Sequence, residues 1–271
     1  MVGFLTAAWS AALVTGASSG IGEALARRLA ADGVGHLVLV ARREDRLTTL
    51  AAELTARHGT ACEVLVADLA DPAARAHVEA RLADPGDRPA LDLLVNNAGL
   101  GTNGRFHTLP ADGEEHEIAV NVVALVRLTR AALAPMVAAG RGAVMNVSSI
   151  AGGQPSPGAA TYAATKAFVT LFSETLHEEV RGTGVTVTAV LPGYTRTEFA
   201  DHSGAAGDDR WRPPSFIWLS ADAVAAAAVD ATARGRALCI PGRGYQVVTA
   251  LVSPLPRTTR RWLMGRLAGR S

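Results

Sequence analysis

A tyrosine and a lysine stand four residues apart in the segment Tyr-Ala-Ala-Thr-Lys, at Tyr162 and Lys166. In a helix this spacing places both side chains on one face, where they can share a ligand. A free tyrosine hydroxyl has a pKa near ~10, too high for acid–base work at neutral pH, and a nearby ammonium lowers that pKa. The pair therefore indicates a tyrosine that acts as general acid or base. The same pattern also arises by chance in many helices, so the surrounding sequence has to decide.

Lys166 is the only lysine of the chain, since the other 25 of the 26 basic residues are arginine. A compact ammonium can stabilise a phenolate while its remaining donors bind ribose hydroxyls, a task for which the planar guanidinium is poorly shaped. A compositional bias accounts for the arginines but not for the exception beside Tyr162. The sequence therefore marks Lys166 as a functional residue.

A glycine-rich turn, Thr-Gly-Ala-Ser-Ser-Gly-Ile-Gly, follows the first apolar run and precedes a helical segment. Its glycines permit a tight turn and close approach of a ligand, and the following helix points free N–H groups at the turn. This pattern predicts a pyrophosphate site, with a structural turn as the alternative. A P-loop is excluded because no lysine follows the last glycine. The predicted site comprises Gly16, Ser18, Ser19, Gly20, Ile21 and Gly22.

Two arginines, Arg42 and Arg43, follow the second apolar run, residues 36–41. At this place dinucleotide-binding folds carry an acid for the ribose 2′-hydroxyl of NAD, or a cation for the 2′-phosphate of NADP. No acid stands here, and a guanidinium can hold a phosphate through two hydrogen bonds. We therefore predict NADP(H) as the cofactor. A solvated helix entry in an arginine-rich chain is the alternative interpretation.

Short runs rich in valine, leucine and isoleucine alternate with segments of helical composition. The alternation predicts βαβ units and a parallel sheet in an α/β fold, formed by one domain over residues 1–271. The predicted strands are 11–14, 36–41, 62–67, 91–95, 142–147, 185–190 and 238–240. The predicted helices are 20–31, 45–58, 72–83, 111–139, 161–181 and 221–234.

Composition excludes several classes of protein. A hydrophobic fraction of 49% supplies a core, and a net charge of +1 argues against a nucleic-acid binder. Neither the two cysteines nor the seven histidines show metal-ligand spacing, so no metal is expected. Two uncharged stretches, 1–22 and 142–165, lack the features of a signal peptide and of a membrane span respectively. We expect a cytoplasmic protein.

Taken in order, the glycine-rich turn, Ser149 thirteen residues before Tyr162, and the Tyr-x-x-x-Lys pair resemble the short-chain dehydrogenase/reductase family. The resemblance covers about residues 11–197. It implies a Rossmann-like, doubly wound parallel sheet of about seven strands with helices on both faces. It also implies hydride transfer between a nicotinamide and a carbonyl or secondary alcohol carbon. In that chemistry Ser149 binds the substrate oxygen, Tyr162 transfers the proton and Lys166 tunes Tyr162. Asn121, unfavourable inside a helix, holds a relay water.

The resemblance implies further cofactor contacts at the ends of three other strands. An aspartate after the third strand would contact adenine, and a helix N-cap is its other interpretation. The Asn-Asn-Ala-Gly segment would pass the ribose, and Pro-Gly with a following threonine would lie beside the nicotinamide. These positions are Asp68 with Leu69, then Asn97, Ala98 and Gly99, and finally Pro192, Gly193, and Thr195 or Thr197.

Residues 194–218 have no clear period and hold five of the 13 aromatic residues. A loop of this length in a compact domain is usually functional, so we expect it to cover the substrate. Its aromatic residues could equally anchor the loop to the core. Tyr194, Gln154, Ser149 and Tyr162 are the predicted substrate contacts.

A basic C-terminal tail occupies about residues 245–271 and carries five arginines after position 254. Such a segment could touch an anionic membrane, but packing of its apolar stripe on its own domain is the favoured interpretation. By resemblance, we expect a homodimer or homotetramer that uses the helices at 110–140 and at Tyr162.

The sequence thus predicts an NADP(H)-dependent reductase of an apolar ketone or aldehyde. The alternative from another class is a non-enzymatic NADP-binding sensor on the same fold, which would be expected to lose the serine, the tyrosine or the lysine. A nucleotide-sugar epimerase or dehydratase is a second alternative, disfavoured by chain length and glycine spacing. Binding without turnover of any carbonyl compound would favour the sensor.

Overall fold

The computed structural model describes residues 8–199, 215–252 and 254–268, and its centre is a seven-stranded parallel sheet. The strand order is β3-β2-β1-β4-β5-β6-β9, so the chain reverses direction across the sheet between β1 and β4. This confirms the predicted fold. The strands are β1 Ala11–Thr15, β2 His36–Ala41, β3 Ala61–Val66, β4 Leu93–Asn96, β5 Gly142–Val147, β6 Val185–Val190 and β9 Leu238–Cys239.

Helices cover both faces of the sheet, because each strand is followed by a crossover that returns over it. The helices are α1 Gly20–Ala31, α2 Glu44–His58, α3 Pro72–Ala83, α4 Ala111–Ile118, α5 Leu125–Ala139, α6 Ala160–Glu179, α7 Ala221–Ala233, α8 Arg243–Val252 and α9 Arg257–Ala268.

The sheet divides the hydrophobic core into two clusters, one on each of its faces. Buried side chains of α1, α2 and α7 pack on one face, and those of α3 and α5 pack on the other. Alternate residues of a single strand enter opposite cores: Leu13 of β1 belongs to one and Val14 to the other. Burial on both faces is the physical reason why the strands are continuous apolar runs in the sequence.

The helix predicted over 111–139 is continuous but not uniform. A π-helical turn, Ala119–Ala124, joins α4 to α5. Such a turn inserts one extra residue per turn and changes the direction of the side chains that follow, which periodicity alone does not predict. The other predicted boundaries either match the observed ones or differ from them by one or two residues, as expected at element ends.

The helical segment Ala111–Ala139 is long and apolar enough to cross a membrane by length and composition, with a mean hydropathy of 1.6 over its most apolar window. Only 33% of that window is buried inside the protein. Its buried residues, among them Leu128 and Met136, belong to the core formed with α3. A core helix passes the same test, so this is weak evidence for a membrane span.

Outside the seven-stranded sheet, the described structure also contains a pair of short strands and the C-terminal helices α8 and α9. β7, Thr195–Arg196, lies at the start of the predicted substrate loop and pairs with β8, Leu219–Ser220, which directly follows that loop. Residues 200–214 of that loop lie outside the described residues. In the tail, Trp262 of α9 is 57% exposed. The expectation that the tail packs its apolar stripe on its own domain is therefore not met at this residue.

Candidate active site

The predicted site residues meet at one edge of the sheet, where the carboxyl ends of β1, β2, β4, β5 and β6 lie side by side. This is the crevice at the topological switch point, the usual ligand site in open α/β sheets. The glycine-rich turn follows β1, Arg42 and Arg43 follow β2, and Asn97 follows β4. Ser149 follows β5, and Pro192 follows β6.

Ser149 and Tyr162 lie within hydrogen-bond reach of each other beyond the end of β5. Ser149 caps a short 3₁₀-helix, Ile150–Gly153, and its hydroxyl accepts from the Ala151 N–H at 3.1 Å. Tyr162 stands in the first turn of α6, and Lys166 follows one turn later on the same face. The ammonium of Lys166 lies 5.7 Å from the centre of the Tyr162 ring. The structure thus brings the predicted serine, tyrosine and lysine together.

Burial governs the protonation of this group. Desolvation raises the pKa of Tyr162 to about 12, against the lowering effect of its hydrogen bond with Ser149. Desolvation also lowers the pKa of Lys166 to about 8, while the nearby charge of Glu117 opposes that shift. The expectation that Lys166 lowers the tyrosine pKa is therefore not met in the protein alone. The loss of hydration around the phenol is the largest influence on its pKa, followed by Ser149 and the charge of Glu117.

Asn121 lies in the π-helical turn and faces the same group. Its amide donates to the Leu100 carbonyl at 2.8 Å and to the Thr165 hydroxyl at 3.1 Å, and its Oδ1 accepts from the Leu100 N–H at 3.0 Å. A methyl group added at Gly99 would come within 3.2 Å of Asn121 Oδ1 and 3.3 Å of Lys166 Nζ. Asn121 and Lys166 thus converge on the backbone after β4, while the relay itself stays a prediction.

A buried carboxylate lies behind this group and was not predicted. Glu117 is fully buried one turn before Asn121, and burial raises its pKa. Its Oε2 accepts from the Thr102 N–H at 2.8 Å, and the Thr102 hydroxyl also lies 2.6 Å from Glu114 Oε1. The acid pair three residues apart on a predicted helix was a visible signal, but surface exposure was its ordinary interpretation.

The glycine-rich turn has the conformation that its sequence predicts. Gly16 and Gly20 have φ angles of +66° and +57°, where other residues are strained. A side chain at Gly22 would collide with the Gly16 carbonyl oxygen. Ser19 occupies the N-cap position of α1, but its hydroxyl accepts no hydrogen bond from the first turn of the helix. The N–H groups of that turn can therefore donate to a ligand. This is a cradle for an anion such as pyrophosphate.

The side chain of Asn97 ties this turn to β4. Its amide donates to the Thr15 carbonyl at 2.9 Å, and its backbone N–H donates to the Thr15 hydroxyl at 2.9 Å. The Ala98 N–H reaches the same hydroxyl at 3.0 Å. The Asn-Asn-Ala-Gly segment therefore holds the turn in place beside the crevice.

Arg42 and Arg43 differ in their surroundings. Arg42 is exposed, whereas Arg43 donates from Nε and Nη2 to the Ser18 hydroxyl at 3.2 and 3.1 Å. Arg43 thus places a guanidinium at the mouth of the glycine-rich turn. On the next strand, Asp68 accepts from the Ala70 N–H at 3.0 Å, beside buried Leu69, while Asp71 caps α3. Asp68 therefore lies in the N-cap region of α3 without being the cap itself, and its side chain closes a local turn.

The segment after β6 crosses the site. The carbonyl of buried Pro192 accepts from the Ile150 N–H at 3.1 Å, and the Thr195 hydroxyl donates to the Gly193 carbonyl at 3.0 Å. Gly193 has no room for a side chain because the Tyr245 ring of α8 covers it. The role of Tyr245 was not predicted, since nothing in the sequence joins α8 to the Pro-Gly turn.

The predicted substrate residues separate into two groups. Tyr194 packs on Trp218 with ring centres 5.5 Å apart and remains 44% exposed, and Gln154 is half-buried after the Ile150–Gly153 turn. Neither has a described contact with Ser149 or Tyr162. Phe199 takes that place instead, with its ring centre 5.6 Å from that of Tyr162. One loop aromatic, Phe199, therefore lies at the site, and another, Tyr194, packs on Trp218 at the other end of the same loop.

Comparison with known proteins decides the family. The family model described as short chain dehydrogenase matches residues 10–207, which contain every predicted catalytic position. The chain belongs to the short chain dehydrogenase family. Its proposed serine, tyrosine and lysine therefore stand in a family of oxidoreductases.

Relatives of this dehydrogenase act on different carbonyl compounds by name. Sulfoacetaldehyde reductase 2 of Chromohalobacter salexigens is 40% identical over 195 residues, which are 69% of this chain and 73% of that relative. A short-chain dehydrogenase from Sphingobium yanoikuyae in complex with NADPH shares 39% identity with a TM-score of 0.80, covering 90% of this chain and 92% of that one. The bulky-bulky ketone specific alcohol dehydrogenase from Comamonas testosteroni shares 32% identity, covers 92% and 95%, and has a TM-score of 0.76.

Proposed function

We propose that this short-chain dehydrogenase uses NADP(H) to interconvert a carbonyl compound and a secondary or primary alcohol, acting as a reductase of an apolar ketone or aldehyde. The main support for this proposal is that four side chains converge beside the glycine-rich turn: Ser149, Tyr162, Lys166 and Asn121. Apart from this group, the cradle at Gly16–Gly22 suits a pyrophosphate.

The proposed mechanism assigns one task to each side chain. The bound nicotinamide supplies the hydride in reduction and accepts it in oxidation. Ser149 donates a hydrogen bond to the substrate oxygen and stabilises the negative charge that develops there. Tyr162 delivers the proton from its hydroxyl, which its raised pKa keeps protonated at neutral pH. Lys166 lies beside the Tyr162 ring, and a water held at Asn121 would pass a proton from solvent through Lys166 back to Tyr162.

The preference for NADP(H) rests on Arg43. Its guanidinium lies beside Ser18 at the mouth of the turn, and β2 ends in Ala41 with no acid to select NAD. The relative from Sphingobium yanoikuyae was solved with NADPH. A cytoplasmic homodimer or homotetramer that binds no nucleic acid completes the proposal.

The substrate class rests on the aromatic neighbours of the reacting group. Phe199 lies against Tyr162, and a side chain at Gly101 would touch both rings. Both rings therefore pack closely against the backbone at Gly101, which places the apolar ring of Phe199 next to the proton donor. The names of the relatives, an aldehyde reductase and a ketone-specific dehydrogenase, agree with a carbonyl substrate.

The test combines binding and turnover. NADPH and NADH are titrated by nucleotide fluorescence, and a panel of aldehydes and ketones is assayed with the wild type and with Tyr162→Phe. We expect tighter binding of NADPH, turnover of an apolar carbonyl compound, and a loss of about 10²–10⁴-fold in kcat/KM for Tyr162→Phe with NADPH binding retained. Binding without any turnover would support the non-enzymatic sensor, and near-normal turnover by Tyr162→Phe would disprove the mechanism.

A further inference from the structure

Glu198 makes two ion pairs at the proposed cofactor site. It follows β7, and its side chain is 40% exposed. Its Oε2 accepts from Arg43 Nη1 at 3.0 Å, and its Oε1 accepts from Arg46 Nη1 at 2.7 Å. These contacts join the start of the substrate loop to the start of α2, across more than 150 residues of sequence.

Each of the three nitrogens of the Arg43 guanidinium has a hydrogen-bond partner in this arrangement. Its Nε and Nη2 face the Ser18 hydroxyl, and Nη2 also lies 3.3 Å from the Ser18 carbonyl, while Nη1 faces Glu198. The two arginines hold the pKa of the Glu198 carboxyl below its ordinary value, so it is an anion at neutral pH. A carboxylate therefore already occupies the outward donors of the arginine to which the 2′-phosphate is assigned.

The neighbours of Glu198 touch the other parts of the site. A methyl group at Gly20 would come within 3.0 Å of the Thr197 side chain, so Thr197 lies on the glycine-rich turn. Phe199 packs on Tyr162. Three consecutive residues thus contact the pyrophosphate cradle, the arginine pair and the catalytic tyrosine.

We propose that Glu198 determines cofactor specificity as an internal anion: its carboxylate occupies Arg43 and Arg46, and the 2′-phosphate of NADP(H) has to displace it. This rests on the proposed role of Arg43 in NADP(H) binding. A phosphate and a carboxylate repel each other when they share one guanidinium, so one replaces the other. NADH, which lacks the 2′-phosphate, leaves the ion pairs in place.

The consequence is a lowered affinity for nucleotides that carry a 2′-phosphate. Breaking two partly exposed ion pairs costs a modest free energy, which opposes phosphate binding and not binding of the rest of the nucleotide. Displacement of Glu198 from the arginines also affects the reacting group, because its neighbour Phe199 packs on Tyr162. Glu198 is thus a specificity residue that acts through the arginines and touches no reacting atom.

The test is Glu198→Gln, which keeps the size of the side chain and removes its charge. Dissociation constants are measured by calorimetry for NADPH, NADH, 2′,5′-ADP and 5′-AMP, with thermal melting to confirm folding. We expect Glu198→Gln to bind NADPH and 2′,5′-ADP roughly two- to tenfold more tightly, the range for one or two partly exposed ion pairs. Its affinities for NADH and 5′-AMP should stay within twofold of the wild type.

Two further variants make the result specific. Glu44→Gln removes a neighbouring exposed carboxylate that shares neither guanidinium among the described ion pairs, and it should change the NADPH affinity less than Glu198→Gln does. Arg43→Ala combined with Glu198→Gln should abolish the gain. An unchanged or weakened affinity of Glu198→Gln for 2′,5′-ADP would overturn the role of Glu198. A wild type that binds 2′,5′-ADP no better than 5′-AMP would instead overturn the NADP(H) assignment, and the role of Glu198 with it.

Discussion

At the scale of single residues, burial disfavours charge on both members of the reacting pair. Tyr162 and Lys166 are both shifted toward their uncharged forms, the phenol to a pKa of about 12 and the amine to about 8. Glu117 is the buried acid that influences both shifts. Small changes of charge near Lys166 therefore alter its protonation within the physiological pH range.

Lys166→Arg tests why the single lysine stands here. The side chain of Lys166 is 5% exposed and donates from Nζ to the Val147 carbonyl at 2.9 Å. A guanidinium is larger and stays charged at every accessible pH, so it fits neither the space nor the lowered pKa. We expect a loss of at least about 10²-fold in kcat/KM at pH 7 with the fold intact, measured by steady-state kinetics and circular dichroism. A variant with near wild-type activity would contradict a specific need for lysine.

The lowered pKa of Lys166 also has a consequence for stability. Between its folded pKa of about 8 and its ordinary value of 10.5, the unfolded chain binds more protons at this position than the folded chain. The free energy of unfolding of the wild type therefore rises with pH in this window relative to that of Lys166→Met, by at most about 1.4 kcal/mol per pH unit. Urea denaturation of both proteins from pH 7 to 9.5 measures the difference. A difference that is constant with pH would show that Lys166 titrates normally.

At the scale of secondary-structure elements, local patterns were sufficient for most of the fold. The central apolar runs became strands because both their faces are buried, whereas β3 stands at the edge of the sheet and is only partly buried. The glycine-rich turn took the positive φ angles that its glycines permit. The π-helical turn at Asn121 and the contacts of Glu198 and Tyr245 were not predictable in this way. They depend on side chains that meet only after distant elements pack, and no local periodicity encodes such a meeting.

Gly22→Ala tests the glycine-rich turn as an element. Its new methyl group would collide with the backbone carbonyl of Gly16 and the side chain of Asn97, so the turn has to open. We expect a loss of about 10-fold or more in NADPH affinity and a lowered melting temperature, measured by fluorescence titration and calorimetry. Gly244→Ala is the control, because that helical position has open space and alanine there is neutral or stabilising by about 1 kcal/mol. Equal effects of the two substitutions would contradict a tight turn.

At the scale of the whole molecule, one outer helix face is unusually apolar. Phe168 and Leu171 of α6 are exposed, and the Phe168 ring stacks on Phe172 with centres 5.5 Å apart. Ile118 and Val123, in the neighbouring helical segment, are exposed as well. The sequence indicated a homo-oligomer through these helices only by family resemblance. Exposed large apolar side chains on adjoining helices now add a physical reason for it.

Leu171→Glu tests whether this face joins two copies of the chain. Leu171 is 67% exposed in the single chain, so a glutamate there costs little in the monomer but would bury a charge in a dimer. We expect the wild type to be dimeric or larger by light scattering and the variant to dissociate at least about 10-fold more readily, with its melting curve still cooperative. Val66→Glu, at a 47% exposed position on edge strand β3, adds the same charge far from α6 and should leave the assembly unchanged. If the wild type is monomeric, or if Leu171→Glu leaves the assembly unaltered, any contact between copies lies on another face. The introduced glutamate is costly only where position 171 is buried between two copies.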